Sequence, residues 1–289
     1  MAPRVALASC RSLLTSERDD RYLQRAFEAR GASARVVAWD ADEDWAGYDL
    51  VLLRSTWDYV PRREEFCRWC EAVEAVTHLE NSAALVRWNT DKRYLAELAV
   101  RGLATVPSAF VEGESLDVPP DWDAARLFLK PVVGAGSNAT LRFERDERGL
   151  ALGRAHLAAH AAEGPFLLQP YLERVEARGE VSLIYLGDRW THAVRKIPVP
   201  GDWRVQDDHG ASDEPHDLTP RERELARTAL QLVGSPLYLR VDLLETAQGE
   251  PLVVELELVE PSLFFHHAPA AADVLAAAAL ARIGAGRGG

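Results

Sequence analysis

Apolar residues alternate with polar ones along the stretch from Tyr238 to Phe265, and this stretch organises the rest of the chain. The pattern predicts two short strands joined by a polar turn at Thr246 to Glu250. Side chains alternate between the faces of a strand. Arg240 and Asp242 therefore share one face of the first strand. Glu255 and Glu257 share one face of the second, with Leu256 and Leu258 on the other. A hairpin would gather three carboxylates on one surface, which is costly unless cations neutralise them. A solvated charged face is an equally good reading of this stretch alone.

The same patterning divides the remainder. Apolar runs predict strands at Arg4–Ser9, Val36–Trp39 and Leu50–Arg54, alternating with helices at Asp19–Arg30 and Arg63–Val76. Such βαβ alternation implies a small parallel sheet, with ligands beyond the carboxyl ends of its strands. Those ends are Ser9 to Arg11 and Arg54 to Tyr59. Trp57 and Tyr59 also read as core aromatics, whereas a buried Arg54 would need an anionic partner. Near Asn81 the composition shifts. A helix is expected over Asp91–Arg101, followed by strands at Val106–Val111, Leu127–Pro131, Thr140–Phe143 and Phe166–Tyr171, with a helix at Ala151–Ala162 between the last two. Strands follow at Val181–Leu186 and Thr191–Ile197. Residues Pro198 to Pro215 show no periodicity and suit a lid or substrate segment. The helix Thr219–Leu232 has Thr219 as N-cap and Pro220 at its first position. An Ala-rich helix, Ala270–Ile283, leads to a Gly tail expected to fray. The domains expected are 1–88, 89–172 and 173–289, an α/β chain with α+β lobes.

Composition narrows the function. The 289 residues suffice for two or three lobes with a sizeable core. The apolar share of 47% and charged share of 27% are those of a soluble globular protein. A net charge of -12 argues against non-specific nucleic-acid binding. No apolar run is long enough to span a bilayer and no signal pattern opens the chain, so the expectation is a cytoplasmic protein acting on a small molecule. Cys10, Cys67 and Cys70 form no disulfide framework, and Cys67 and Cys70 fall on the core side of a helix. His209, His216, His266 and His267 show no metal-ligand spacing, and the first two read as loop surface.

Lys130-Pro131 at a strand end, followed by Gly134-Ala135-Gly136-Ser137, would suit a polyphosphate. Glycine lets backbone amides approach phosphate oxygens and the lysine supplies a point charge. The segment matches neither of the two common glycine-rich nucleotide fingerprints. Taken singly it reads first as an ordinary hairpin loop, just as Lys92 reads as a solvated lysine.

The order of the pieces is more specific. Lys92 at a helix start precedes Lys130 and the Gly loop. Then come Leu168-Gln169-Pro170-Tyr171-Leu172, Gly179-Glu180, Asp242 and Glu255-x-Glu257. In this order the chain resembles the ATP-grasp superfamily of carboxylate–amine ligases over nearly its whole length. Arg54 to Tyr59, Trp88 to Lys92, Gly201 to Gln206 and Glu255 to Ser262 are similar to the group of the O-ureidoserine cyclo-ligase that makes D-cycloserine.

The resemblance implies an ATP-grasp fold preceded by a small parallel-sheet domain. It implies that Lys92 and Lys130 contact ATP phosphates under a mobile loop containing Gly134, Gly136 and Ser137. Gln169, Tyr171 and Leu172 would form the interlobe hinge that holds adenine, and Glu180 would take the ribose hydroxyls. Asp242, Glu255 and Glu257 would hold Mg2+, which prefers a few carboxylates with phosphate oxygens and water. Glu257 stands where the superfamily often has Asn, Gln169 where it often has Glu, and Gly210-Ala211 where Gly-Gly is expected. The implied reaction runs through an acylphosphate that a nitrogen nucleophile displaces, within one molecule or between two. Arg204 and Arg240 are the candidates to hold the reacting carboxylate, with Arg11 and Arg195-Lys196 as weaker ones. A salt bridge to Asp242 or Glu257 is the structural alternative for Arg240. No general base is evident. The other functional readings are an intermolecular amino-acid or peptide ligase and a nucleotide-binding module without turnover; the complete set of lysines and carboxylates speaks against the module. A homo-oligomer and a monomer are both compatible with the sequence.

Overall fold

The computed structural model describes residues 2–15, 17–113 and 115–286; the tail beyond Gly286 and its expected fraying lie outside them. The first elements are β1 (Arg4–Ser9), α1 (Arg18–Ala29), β2 (Ser33–Ala38), β3 (Leu50–Ser55), α2 (Arg63–Glu74) and β4 (Leu79–Glu80). They make a parallel sheet in the order β2-β1-β3-β4. β3 is buried along its whole length, which is why its sequence runs apolar without alternation. Cys67 and Cys70 sit inside α2 as buried core residues. Arg54 is buried and finds its anion in Asp20, with Nε 3.5 Å from Oδ1. Tyr59 is core, stacked on Phe66 at 4.9 Å. Trp57 remains 40% exposed.

The chain continues through α3 (Ala83–Asn89), α4 (Tyr94–Val100), β5 (Ala109–Val111), β6 (Arg126–Pro131), β7 (Leu141–Glu144), α5 (Glu147–Ala159) and β8 (Phe166–Pro170). The four strands form an antiparallel sheet ordered β5-β8-β6-β7. The helix expected over Asp91–Arg101 forms as α4 but begins later, at Tyr94, and α3 precedes it where the sequence predicts no helix. Ser82 caps α3 by accepting from the Leu85 amide. Asp91 turns its carboxylate to Arg93 at 2.6 Å, so Lys92 falls in the turn between the helices. The strand expected from Val106 is shorter, because Pro107 supplies no ladder donor.

The last part comprises α6 (Val175–Arg178), β9 (Glu180–Leu186), β10 (Arg189–Ile197), β11 (Ser212–Pro215), α7 (Pro220–Val233), β12 (Tyr238–Glu245), β13 (Pro251–Glu257) and α8 (Ala270–Gly286). Its antiparallel sheet runs β11-β10-β9-β12-β13. α7 opens with a capping box, in which the Thr219 side chain and Glu222 satisfy each other's backbone amides. The expected unstructured segment up to Pro215 contains edge strand β11. Its sequence, SDEP, has little strand propensity, and pairing with β10 imposes the conformation.

Helices α1 and α8 join the first sheet to the last. Leu23, Phe27, Leu275 and Ala279 share one apolar core with Leu7, Leu52, Ile184 and Phe265. The alanines of α8 leave little side chain between helix and neighbours. Polar clasps reinforce the junction. Tyr238 donates its hydroxyl to the Leu53 carbonyl at 2.9 Å. Asn81 donates to the Leu258 carbonyl at 2.7 Å.

Candidate active site

The hairpin of β12 and β13 has the register its alternation predicts. Arg240 lies opposite Glu257 and Asp242 opposite Glu255. On the other side Asp242 faces Ser182, and on the next ladder Lys196 faces both Glu180 and Asp213. Opposed residues share a sheet face. One surface therefore carries Glu180, Lys196, Ser182, Asp242, Arg240, Glu255 and Glu257. Lys130 comes over it from the end of β6, and Lys92 from the turn before α4.

The outer edge of β13 meets backbone at Val253, which bridges to Thr105 and exchanges hydrogen bonds with Ala104 and Val106 at 2.9 Å each. Further along the edge, side chains complete it. Asn89 donates to the Leu256 carbonyl at 2.8 Å and accepts from the Leu258 amide at 2.9 Å. The Tyr94 hydroxyl accepts from the Leu256 amide at 2.8 Å. Two elements that flank Lys92 thus grip the strand that carries Glu255 and Glu257.

Charges alternate across the surface. Lys92 Nζ lies 3.1 Å from Glu255 Oε1 and donates to the Gly134 carbonyl at 2.6 Å. Lys130 Nζ lies 3.7 Å from Glu255 Oε2. Lys196 pairs with Glu180 and lies 3.5 Å from Asp242 Oδ2. Arg240 grips Asp242 with Nε at 2.9 Å and Nη2 at 2.8 Å, and also pairs with Glu257. Ser182 donates to the remaining side of Asp242 at 2.5 Å. Four carboxylates thus meet four protein cations, which removes the like-charge cost the sequence raised.

These pairs set the protonation behaviour. Burial opposes ionisation of Asp242, but Arg240 and Lys196 outweigh it and hold its carboxyl well below the usual range. Lys92 and Lys130 do the same for Glu255. Glu257 has less help. Burial pushes it up to about 7 against Arg240, with Asp242 and Glu255 adding to the rise. Burial lowers Lys130 despite Glu255.

Not every expected residue joins this surface. Arg204 turns to Asp202 at 2.7 Å instead. Arg11 pairs with Asp40, and Arg195 with Glu214. Gln169 is buried and donates to Ser108 at 3.0 Å, which leaves its backbone rather than its side chain for a ligand. Tyr171 is buried, donating to Glu176 at 2.7 Å; the next residue, Leu172, is half-buried. Glu180 is engaged by Lys196. Gly136 and Ser137 both adopt positive φ, 62° and 60°, and Ser137 donates to Gln206 at 2.9 Å. The Gly loop is thereby tied to the segment 201–206, whose Trp203 packs edge-on against Phe128 at 4.7 Å. His216 is not loop surface: it is half-buried, 3.2 Å from Glu222.

Lys196, a weaker candidate from the sequence, joins this surface, and alternation along β10 is the signal that places it with Glu180. One further group, Glu260, is not among the sequence candidates. Glu260 follows β13 and has its carboxyl pushed up to about 8 by burial and by Glu257, against a hydrogen bond with Tyr59. Its carbonyl accepts from Trp57 Nε1 at 3.0 Å. The end of β3 therefore closes over the segment after the hairpin, with Arg54 donating to the Pro261 carbonyl at 3.1 Å.

Known proteins are similar to this chain in sequence and in fold. Residues 5–81 match the family described as D-cycloserine synthetase DcsG, N-terminal domain, and residues 121–243 match the prokaryotic glutathione synthetase ATP-grasp domain. The cycloserine biosynthesis protein DcsG of Streptomyces lavendulae is 34% identical over 258 residues, covering 83% of this chain and 86% of that one. Probable alpha-L-glutamate ligase 2 of Hahella chejuensis is 27% identical over 187 residues, 64% of this chain and 59% of that one. The crystal structure of D-cycloserine synthetase DcsG superposes with a TM-score of 0.86 at 30% identity, covering 97% of this chain and 99% of that one. D-alanine–D-alanine ligase from Bacillus anthracis complexed with ATP shares the fold, with a TM-score of 0.70 at 14% identity over 99% of this chain and 98% of that one.

The chain belongs to the ATP-grasp superfamily of ligases, in the D-cycloserine synthetase family. It is an ATP-dependent ligase that forms a C–N bond between a carboxylate and an amine. No helix among the described residues is long and apolar enough to cross a membrane.

Proposed function

We propose that the substrate is a small amino-acid-like carboxylate, that the amine closing on it belongs to the same molecule, and that Mg2+ accompanies ATP. The observation that carries this reading is the convergence of Lys92 and Lys130 on Glu255, beside Glu257 and Arg240.

The residues fit magnesium. Asp242, Glu255 and Glu257 offer hard oxygen donors, and the ion is content with one or two carboxylates plus phosphate and water. The Glu255 and Glu257 side chains are 29% and 30% exposed, whereas Asp242 is buried and already gripped by Arg240. Glu255 and Glu257 are therefore the first two ligands, with Asp242 behind them. Bound there, the metal would draw charge from the transferring phosphoryl group.

The protein's own residues supply the remainder. Lys92 and Lys130 exchange Glu255 for phosphate oxygens when ATP enters, and they stabilise charge that spreads as the γ-phosphoryl group moves. The substrate carboxylate attacks that group, giving an acylphosphate and ADP. Arg240 gives Nε and Nη2 to Asp242, Nη2 also to Glu257 and Nη1 to the Ser262 carbonyl, so it would meet the substrate carboxylate by exchanging Glu257 for it while Asp242 fixes its direction. The substrate nitrogen then attacks the acyl carbon, phosphate leaves, and the nitrogen gives up its proton.

The test is ADP release from purified protein with Mg2+ and ATP, across amino acids and their ureido and hydroxamate derivatives, including O-ureidoserine. Release with a single substrate, giving a cyclised product, supports the reading. Release only when a second amine is added replaces it with intermolecular ligation.

A further inference from the structure

At the edge of the same sheet face, opposite Lys196, one cluster of side chains has a different chemistry. Asp213 of β11, His266 and His267 bring one ligand atom each to within 4.8 Å of one another. His266 Nε2 lies 2.8 Å from Asp213 Oδ1, and His267 Nε2 meets the same oxygen. The two imidazoles lie with centroids 4.1 Å apart.

Consecutive residues in extended chain point to opposite sides. Here the backbone turns so that both imidazoles face one way. Phe264 takes a left-handed φ of 51°. Asp19 holds the turn by accepting from the amides of Leu263, Phe264 and Phe265 at 2.5, 3.1 and 3.0 Å. Without a cation, each ring must carry its proton on Nε2 and donate it to one shared carboxylate oxygen. A cation would take both nitrogen lone pairs and the carboxylate together.

We propose that Asp213, His266 and His267 bind a divalent transition-metal ion such as Zn2+. Imidazole nitrogen suits Zn2+, whereas Mg2+ seeks oxygen, so this site and the carboxylate surface would select different metals. Zinc–nitrogen bonds of about 2.0–2.1 Å require the three donors to spread apart. The side chains are 24%, 20% and 11% exposed for His266, His267 and Asp213, so modest rotations provide the room. Two His and one carboxylate leave at least one position for water or another ligand.

The placement gives the metal a structural consequence. Asp213 lies opposite Lys196 in the β10–β11 ladder, and Lys196 touches Glu180 and Asp242. The two histidines lie in the segment that follows Glu260. An ion there would pin the far end of segment 198–215 to the backbone beside Arg240, whose guanidinium lies 5.8 Å from the Phe264 ring.

The experiment is a titration of chelator-treated, full-length protein with Co2+ as a spectroscopic substitute, in excess Mg2+. The expected result is a visible ligand-field absorption from imidazole donors that saturates at one equivalent and is displaced by Zn2+. Loss of an outer-shell partner already weakens a metal about 10–100-fold, so His267→Gln and Asp213→Asn should each weaken binding by at least that range. Unchanged ADP binding by the variants would show that they are folded. Absence of the absorption in the unaltered protein overturns the proposal whatever the variants do. Binding that survives His267→Gln at full strength overturns it as well.

Discussion

The Lys92 ammonium stands 3.1 Å from Glu255 Oε1, and the same carboxylate offers its other oxygen to Lys130 at 3.7 Å. In the proposed reaction Glu255 would be the counter-ion that both lysines leave when a phosphate arrives, and the group then freed to meet a metal. Replacing it with Gln removes the charge but keeps the shape. We expect Glu255→Gln to lower ADP release by roughly 100-fold or more, the scale seen when one stabilising group is lost from a polar site. The melting temperature should also fall, because Lys92 and Lys130 are buried and lose their shared counter-ion, so ADP release is compared below the variant's unfolding transition. ADP release near the unaltered rate would remove Glu255 from the reaction.

Asn89 holds the edge on which this carboxylate rides. Its amide bonds the Leu256 carbonyl and Leu258 amide, both in buried surroundings. Asn89→Leu would leave the Leu258 amide without a partner, while the Leu256 carbonyl keeps a bond from the Tyr94 hydroxyl at 3.1 Å. A buried group stranded in this way costs about 1–3 kcal/mol. Urea unfolding should show a loss within that range, whereas a midpoint unchanged from wild type would mean that water replaces the bond to the Leu258 amide.

How far the sequence alone reached follows from which contacts are local. Period-two alternation placed Arg240, Asp242, Glu255 and Glu257 on one hairpin surface, and the register agrees. Lys196 required knowing that β9 lies between β10 and β12, and sheet order is not local information. The Arg54 partner, Asp20, lies on α1, and only the packing of α1 beside β3 brings the two together. β11 was hidden because its four residues borrow strand geometry from β10. The helix expected from Asp91 starts only at Tyr94 for a local reason, since the Asp91 carboxylate accepts from the Arg93 amide and pairs with its guanidinium.

The Asp20 and Arg54 pair predicts a pH dependence. Burial pushes Asp20 from 3.8 up to about 6, against the pull of Arg54 and the Ser55 hydroxyl. The folded carboxyl therefore keeps a proton that the unfolded one has released between those values. Its contribution to stability is full below about pH 3.8, falls as the pH rises, and is lost above about 6. Asp20→Asn cannot titrate. Melting temperatures of wild type minus variant should decline between these limits and stay level outside them. A difference that rises over this window would reverse the sign argued here.

Lys196 is the cation between two carboxylates, half-buried Glu180 and buried Asp242. Lys196→Met keeps the length of the side chain and removes its charge. Breaking a buried pair from one side costs about 3–5 kcal/mol, because the remaining charge has no compensation. Here Arg240 still serves Asp242, so Glu180 is the group stranded. The double variant Lys196→Met with Glu180→Gln removes both unlike charges and should regain most of the lost stability. A double-mutant cycle in urea measures that coupling. Additive losses would show that Glu180 draws its stabilisation from elsewhere. Strong coupling with intact folding, paired with weakened ATP binding in the double variant, would place the Lys196–Glu180 pair in the nucleotide site as well as in the sheet.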